Sequence, residues 1–295
     1  FIQSNGGTAT TDIVIENPAS ILLSGPAAGP SLAQSLGESH NAKNVLSVDM
    51  GGTSFDVGVV HDSIVDIVQL KIIDAKKYAI PSVDVSAAGA GGGSIAYIDP
   101  NGRLQVGPQS AGASPGPACY GIGGKDPTVT DADLILGYLN PDYFLGGETK
   151  LKKDLAEKAI KEKIAVPLGL TITEAAAAIY DIINSRMAGA TDVVFAKRGY
   201  DPRDFILCAA GGAAPVHAVR IMEELGIKRL IIPKVAPIYC AFGMLFSDLK
   251  HDYQRAYLSE TAKADLSRIN ELYEEMQKVA VDTLRREGVA PKDVI

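Results

Sequence analysis

Asp49-Met50-Gly51-Gly52-Thr53-Ser54-Phe55-Asp56 lies between two short apolar runs, Asn44-Val45-Leu46-Ser47-Val48 and Val57-Gly58-Val59-Val60. β-Branched residues on either side of a glycine pair predict a hairpin with a tight tip. Glycine lets the backbone twist there and lets an anion come close, so several N–H groups and the Thr53 and Ser54 hydroxyls can converge on one phosphate. Asp49 leaves the first strand and Asp56 enters the second. Chain reversal can therefore bring both carboxylates beside that anion, to hold a hydrated Mg²⁺ or to orient a water. A hairpin with two solvated aspartates fits the same residues, and the motif alone leaves both readings open.

A second element lies downstream. Phe205 to Ala210 reads as a strand, Gly211-Gly212 as a turn, Ala214 to Leu225 as a helix and Arg229 to Ile232 as a strand: a βαβ unit for a parallel sheet. It sets a helix N-terminus and a surface without side chains at the carboxyl end of a strand, where α/β sheets bind ligands; a nucleotide's adenosine could lie there. The same glycines would serve a plain strand-to-helix crossover. His217 follows closely and is read either as a structural residue or as a group facing the ligand or a partner. Asp131 and Asp133 stand as possible acid, base or metal-ligand groups, or as an N-cap pair for the helix that follows.

Elsewhere, Ile64 to Ile73 and Ile95 to Ile98 read as strand, and Lys152 to Ile164 as helix. Thr173 to Lys197 reads as a helix capped by Thr173 and stopped by Gly199, and Leu266 to Arg286 as one with Ile269, Leu272, Met276 and Val279 on its apolar face. Glycine and proline crowd the stretch 89–147, read as an insertion that lines a substrate channel or a subunit contact. The fold class is α/β. Gly124-Lys125 lacks the glycine spacing of a Walker A loop, and no GxGxxG follows a strand; HExxH and GxSxG are also missing.

The 295 residues carry 28 Lys+Arg against 35 Asp+Glu, a net charge of −7, which argues against nucleic acid or an anionic membrane as a partner. Three cysteines, Cys119, Cys208 and Cys240, without CxxC spacing, fit neither a disulfide framework nor a structural zinc site, and point to the cytoplasm. The chain opens on Phe1 without a signal-peptide pattern and closes within a helical-looking stretch, 291–295, so the expectation is a piece of a longer protein.

These segments together resemble the ATP-binding subunit of the hydantoinase/oxoprolinase family, which includes N-methylhydantoinase, 5-oxoprolinase and the acetone carboxylase β subunit. The resemblance runs in order through Ser4-Asn5-Gly6-Gly7, Leu23 to Gly29, Asp49 to Asp56, Gly89 to Ser94, Pro115 to Gly121, Thr128 to Asp131, Asp201 to Phe205, Gly211-Gly212, His217-Ala218 and Ala241-Phe242-Gly243. It implies an actin-like (ribonuclease H-like) ATPase lobe over 1–260, with 89–147 as its insertion and with the N-terminal lobe absent. Residues 261–295 would begin a truncated helical segment. It implies ATP and Mg²⁺ as cofactors, with Asp49 and Asp56 catalytic and Asp49 on the metal. Gly51, Gly52, Thr53, Ser54, Gly211 and Gly212 would bind the nucleotide. The implied activity is ATP-dependent opening of a cyclic amide by phosphorylation of its oxygen, completed with a second subunit of the hydantoinase B type; the isolated piece would be inactive. Ketone carboxylation within the same family, a non-enzymatic nucleotide-switched module and a sugar-type kinase are the alternatives.

Overall fold

The computed structural model describes residues 1–73 and 75–294. Its centre is a mixed sheet of β1 (Val45–Met50), β2 (Phe55–His61), β3 (Ile64–Val65), β4 (Val85–Ala88), β5 (Ile206–Ala210) and β6 (Leu230–Ile231). The order is β6-β5-β1-β2-β3, with β4 pairing along β2 beside β3. β1 runs antiparallel to β2 and parallel to β5, and β5 runs parallel to β6. This is the α/β architecture of an actin-like ATPase lobe, carried by the hairpin and the βαβ unit that the sequence predicts.

Four helices pack around this sheet and its glycine-rich turns: α1 (Ser24–Ser39), α2 (Val129–Ile135), α3 (Ile172–Arg198) and α4 (Ala214–Leu225). Alternation along the strands sorts their side chains onto two faces. Leu46, Val48, Met50, Leu207 and Ala209 pack with Ile179 and Ile183 of α3 and with Ala218 and Ile221 of α4. Val45, Cys208 and Ala210 pack on the other face with Leu32 and Ala33 of α1 and with Tyr239. The stretch 89–147 is built into the first of these cores, not appended to it: Ala90, Ala96, Val106, Val129 and Ala132 are all buried there.

Several boundaries differ from the sequence reading. α3 is capped by Thr171, not Thr173: the Thr171 hydroxyl accepts from Glu174 N at 3.2 Å, and Glu174 Oε2 accepts from Thr171 N at 2.8 Å. A reciprocal box of this kind needs Glu three residues after the cap, and only Thr171 has that spacing. Gly199 ends α3 at φ +69°, as read. The helix from Lys153 passes through a π turn at Lys161–Ala165 and ends at Leu168, four residues beyond Ile164, with Gly169 as its left-handed cap.

Ile64 to Ile73 is not one strand. It breaks into Ile64–Val65, Ile67–Val68 and Lys71–Ile73, with different partners. Between the first two, Asp66 is held by Arg198 Nε at 2.9 Å. The helix Leu266–Arg286 forms over the residues expected. Its covered stripe runs through Ile269, Leu272, Met276 and Ala280, whereas Val279 is 48 % exposed. Steps of three, four and four residues stay nearer the 3.6-residue turn of a straight helix than steps of three, four and three. At the carboxyl end Pro291–Asp293 forms a short 3₁₀ turn, and Ile295 lies outside the described residues.

Candidate functional site

The glycine tip of the hairpin and the glycine pair after β5 lie side by side. Parallel pairing sets Asp49 opposite Ala210, so the chain leaving β5 crosses the end of β1. Gly211 lies there at φ +82°, in the left-handed region that glycine enters without strain. A Cβ on it would stand 2.3 Å from Met50 O and 2.4 Å from Asp49 Oδ1. Ala213 N then donates to Met50 O at 2.9 Å, fixing the first turn of α4 against the hairpin.

A third segment, absent from the sequence reading of this site, completes the floor. Gly92 N donates to Gly51 O at 3.0 Å and Gly93 N to Gly52 O at 2.7 Å. Both carbonyls of the tip are thereby turned toward the glycine stretch 91–93. In a trans peptide the N–H points opposite the C=O, so the Gly52 and Thr53 amides point the other way. Among the described residues, the amides of Gly52, Thr53, Ser54 and Gly212 have no hydrogen-bond acceptor. Gly52, Thr53 and Gly212 are exposed, and no atom lies within 4 Å of where a Cβ on Gly51, Gly52 or Gly212 would stand. Backbone donors with nothing to bond, beside space that no side chain fills, make a cradle of the kind that can receive an anion.

Two carboxylates border it. Asp49 and Asp56 are direct cross-strand partners and are half-buried. Burial holds both above the usual carboxylate range, and for Asp56 the Asp49 charge adds to the effect. Among the described residues, no Lys, Arg or His forms an ion pair with either. The only polar side chains there that donate to them are Cys240 Sγ, 3.2 Å from Asp49 Oδ2, and Ser54 Oγ, 3.4 Å from Asp56 Oδ2. The Cys240 thiol is itself pushed well up by burial and by Asp49, so it serves as a neutral donor. Cys240 carries no motif that would mark it. It reaches Asp49 because the helix Tyr239–Gly243 packs along α1, on the sheet face that also carries Asp49.

A divalent cation fits this pair on its chemistry: two neighbouring, desolvated carboxylates without a cationic partner are relieved by one, and Mg²⁺ takes one or two carboxylates with phosphate and water completing its shell. Among the described residues no group of three or more His, Cys, Asp or Glu is arranged to hold a metal ion, so a cation here would depend on oxygens from a ligand.

The remaining candidates fall outside the cradle. Asp131 is fully buried and accepts from Ala118 N, Cys119 N, Thr128 N and Thr128 Oγ1 at 3.2, 2.7, 2.9 and 2.8 Å. Thr128, not either aspartate, caps α2. Asp131 is the third helical residue of that cap and ties down the 118–119 turn. Asp133 and His217 are buried against each other, with His217 Nε2 3.5 Å from Asp133 Oδ2. All three cysteines are free thiols. No single helix among the described residues is long and apolar enough to cross a membrane.

Known proteins resemble this chain along nearly all of its length. The sequence profile of the hydantoinase/oxoprolinase family matches residues 1–253. Caprolactamase subunit alpha of Pseudomonas jessenii is 41 % identical over 290 residues, covering 98 % of this chain and 42 % of its own. The acetophenone carboxylase gamma subunit of Aromatoleum aromaticum is 40 % identical over 303 residues, covering 99 % and 41 %. The solved structure of nucleotide-free acetone carboxylase superposes with a TM-score of 0.82 at 30 % identity, covering all of this chain and 42 % of that one. The chain thus spans about four-tenths of the length of these two relatives. With the profile covering the hairpin, the glycine stretch 91–93 that forms the wall of the cradle, and the strand-glycine-helix turn, the chain belongs to the hydantoinase/oxoprolinase family.

Proposed function

We propose that the full-length protein spends ATP to activate the carbonyl oxygen of a cyclic amide for ring opening, and that residues 1–260 are its phosphate-binding lobe. The observation that carries this reading is the cradle itself: four unbonded amides, from Gly52, Thr53, Ser54 and Gly212, beside the unpaired Asp49 and Asp56. The Gly52–Ser54 amides and the Thr53 and Ser54 hydroxyls hold phosphate oxygens, and the Gly211-Gly212 turn carries the nucleoside side of ATP. Asp49 holds the metal and Asp56 orients the attacking group. Mg²⁺ bound with the nucleotide supplies positive charge against the phosphates.

An amide has no good leaving group at its carbonyl oxygen. Moving the terminal phosphoryl group of ATP onto that oxygen, with release of ADP, creates one and makes the ring carbon electrophilic; one water adds there, the ring nitrogen leaves as the amine to give an acyl phosphate, and a second water releases phosphate and the carboxylate. Relatives named as subunits, caprolactamase alpha and acetophenone carboxylase gamma, support a second subunit of the hydantoinase B type that completes the reaction. A second reading, ketone carboxylation, draws on the acetophenone carboxylase subunit, whose identity of 40 % equals that of the lactamase within one per cent.

The test is ATP hydrolysis by the full-length protein with its co-purifying subunit, in the presence of a lactam, a hydantoin, or a ketone with bicarbonate. Release of ADP and phosphate in step with the ring-opened amino acid is the expected result. Stimulation only by ketone and bicarbonate establishes the second reading. A stable phosphorylated product, or hydrolysis indifferent to every organic substrate, overturns both.

A further inference from the structure

Asp133 on α2 and His217 on α4 are 2 % and 0 % exposed, so neither can touch a substrate. Their closest approach is 3.5 Å. His217 Nδ1 and Nε2 and Asp133 Oδ1 all lack a hydrogen-bond partner among the described residues. Tyr180 of α3 stacks on the imidazole at 5.1 Å and spends its hydroxyl on Val216 O at 3.1 Å. Buried polar groups left this poorly bonded cost stability, and an apolar pair would pack the same two helices without that cost.

Their place in the fold suggests what offsets it. One turn before Asp133, Thr130 donates to Gly92 O through both N and Oγ1, each at 2.8 Å, and Gly92 N in turn holds Gly51 O. One turn before His217, Ala213 N holds Met50 O. Two arms therefore grip consecutive carbonyls at the hairpin tip, one from α2 through the glycine wall and one directly from α4. Asp133 and His217 join those arms directly behind the grip, closing a ring of contacts around the floor of the cradle.

We infer that Asp133 and His217 are a positioning pair, which fixes the glycine wall relative to the Gly211-Gly212 turn and thereby sets the spacing of the amides that receive the nucleotide's phosphates. The inference rests on the reading of the cradle as a nucleotide site. It concerns geometry alone: the pair aligns two backbone segments and neither accepts nor gives a proton in the reaction.

The test measures ATP affinity by calorimetry in the full-length protein, at a temperature where thermal melts show each variant folded. Asp133→Ala, which removes the carboxylate beside His217, is expected to weaken ATP binding about tenfold, and Asp133→Asn, which keeps a polar group of the same shape beside the imidazole, to restore it to within about threefold. A merely structural pair would lower the melting temperature of Asp133→Ala and leave the affinity of the folded fraction unchanged; that result overturns the inference, as does an Asp133→Asn as weak as Asp133→Ala. Should Asp133→Ala fail to fold, Asp133→Leu combined with His217→Phe removes both polar partners at little net cost to stability. That variant is expected to bind ATP weakly, and native affinity in it also overturns the inference. Failure of the wild-type protein to bind ATP would instead end the reading of the cradle.

Discussion

Asp49→Asn in the full-length protein is expected to lower ATP turnover by about 10³-fold while leaving the melting temperature equal to that of the wild type or a few degrees higher. The two effects have one origin. Asp49 and Asp56 face each other across the ladder; burial holds both carboxyls above the usual range, and the Asp49 charge raises Asp56 further. An acid whose pKa is raised by folding supports the fold while protonated: its contribution is complete below the unfolded value and is lost as pH rises through the folded one. At neutral pH the pair therefore works against stability, and Asn, with the same shape and no charge, relieves it. The charge is also what a metal–phosphate site needs, and an amide cannot replace it. Melting curves between pH 4 and 8 should show the variant's advantage widening as pH rises. Unchanged turnover in Asp49→Asn would remove Asp49 from the mechanism, and a large loss of stability at neutral pH would show that the two carboxylates do not oppose each other.

Those two aspartates are legible in the sequence because the signal is local. Apolar runs on either side of Gly51-Gly52 specify a hairpin, and a hairpin pairs Asp49 with Asp56 by register alone. The strand-glycine-helix element is legible for the same reason, and right-handed βαβ connection places it in a parallel sheet. Its position beside the hairpin follows from the β1–β5 pairing, which joins segments about 160 residues apart and has no local marker. Cys240 is hidden in the same way: its hydrogen bond to Asp49 spans 191 residues and depends on how Tyr239–Gly243 packs along α1. Asp131 and Asp133 cannot be separated by sequence, since both sit in the first turns of one helix. The helix turns Asp131 toward the 118–119 amides and Asp133 toward α4, so one becomes a backbone clamp and the other a partner of His217. The first break in Ile64 to Ile73 falls at Asp66, which Arg198 holds together with Asp84 from α3. Apolar content alone favours one long strand there.

Gly91→Ala is the substitution that separates a cradle from a decorative turn. The sequence offers Gly89 to Ser94 only as the start of a glycine- and proline-rich insertion, yet in the fold it is the place where two backbones touch. A Cβ on Gly91 would stand 2.6 Å from both Gly52 C and Thr53 N, and 2.7 Å from Gly52 O. None of these atoms belongs to a side chain that can swing aside. The hairpin tip must therefore move off the wall, releasing Gly92 from Gly51 O and Gly93 from Gly52 O, or the wall must pull away from Thr130. Overpacking of this kind costs about 1–3 kcal/mol, and in a domain of this size each kcal/mol lowers the melting temperature by about 2–4 °C. Function should suffer more than stability. The wall bonds are what turn the Gly52 and Thr53 amides outward, and each hydrogen bond to a charged acceptor is worth about 1.5–3 kcal/mol, so losing the alignment of both should weaken ATP binding by at least about 100-fold. Gly25→Ala is the matched control: Gly25 lies near the start of α1, nothing stands within 4 Å of the added methyl, and neither affinity nor melting temperature should fall. A folded Gly91→Ala protein that binds ATP with native affinity would mean that the tip of the β1–β2 hairpin does not receive the phosphates, whatever else the cleft binds.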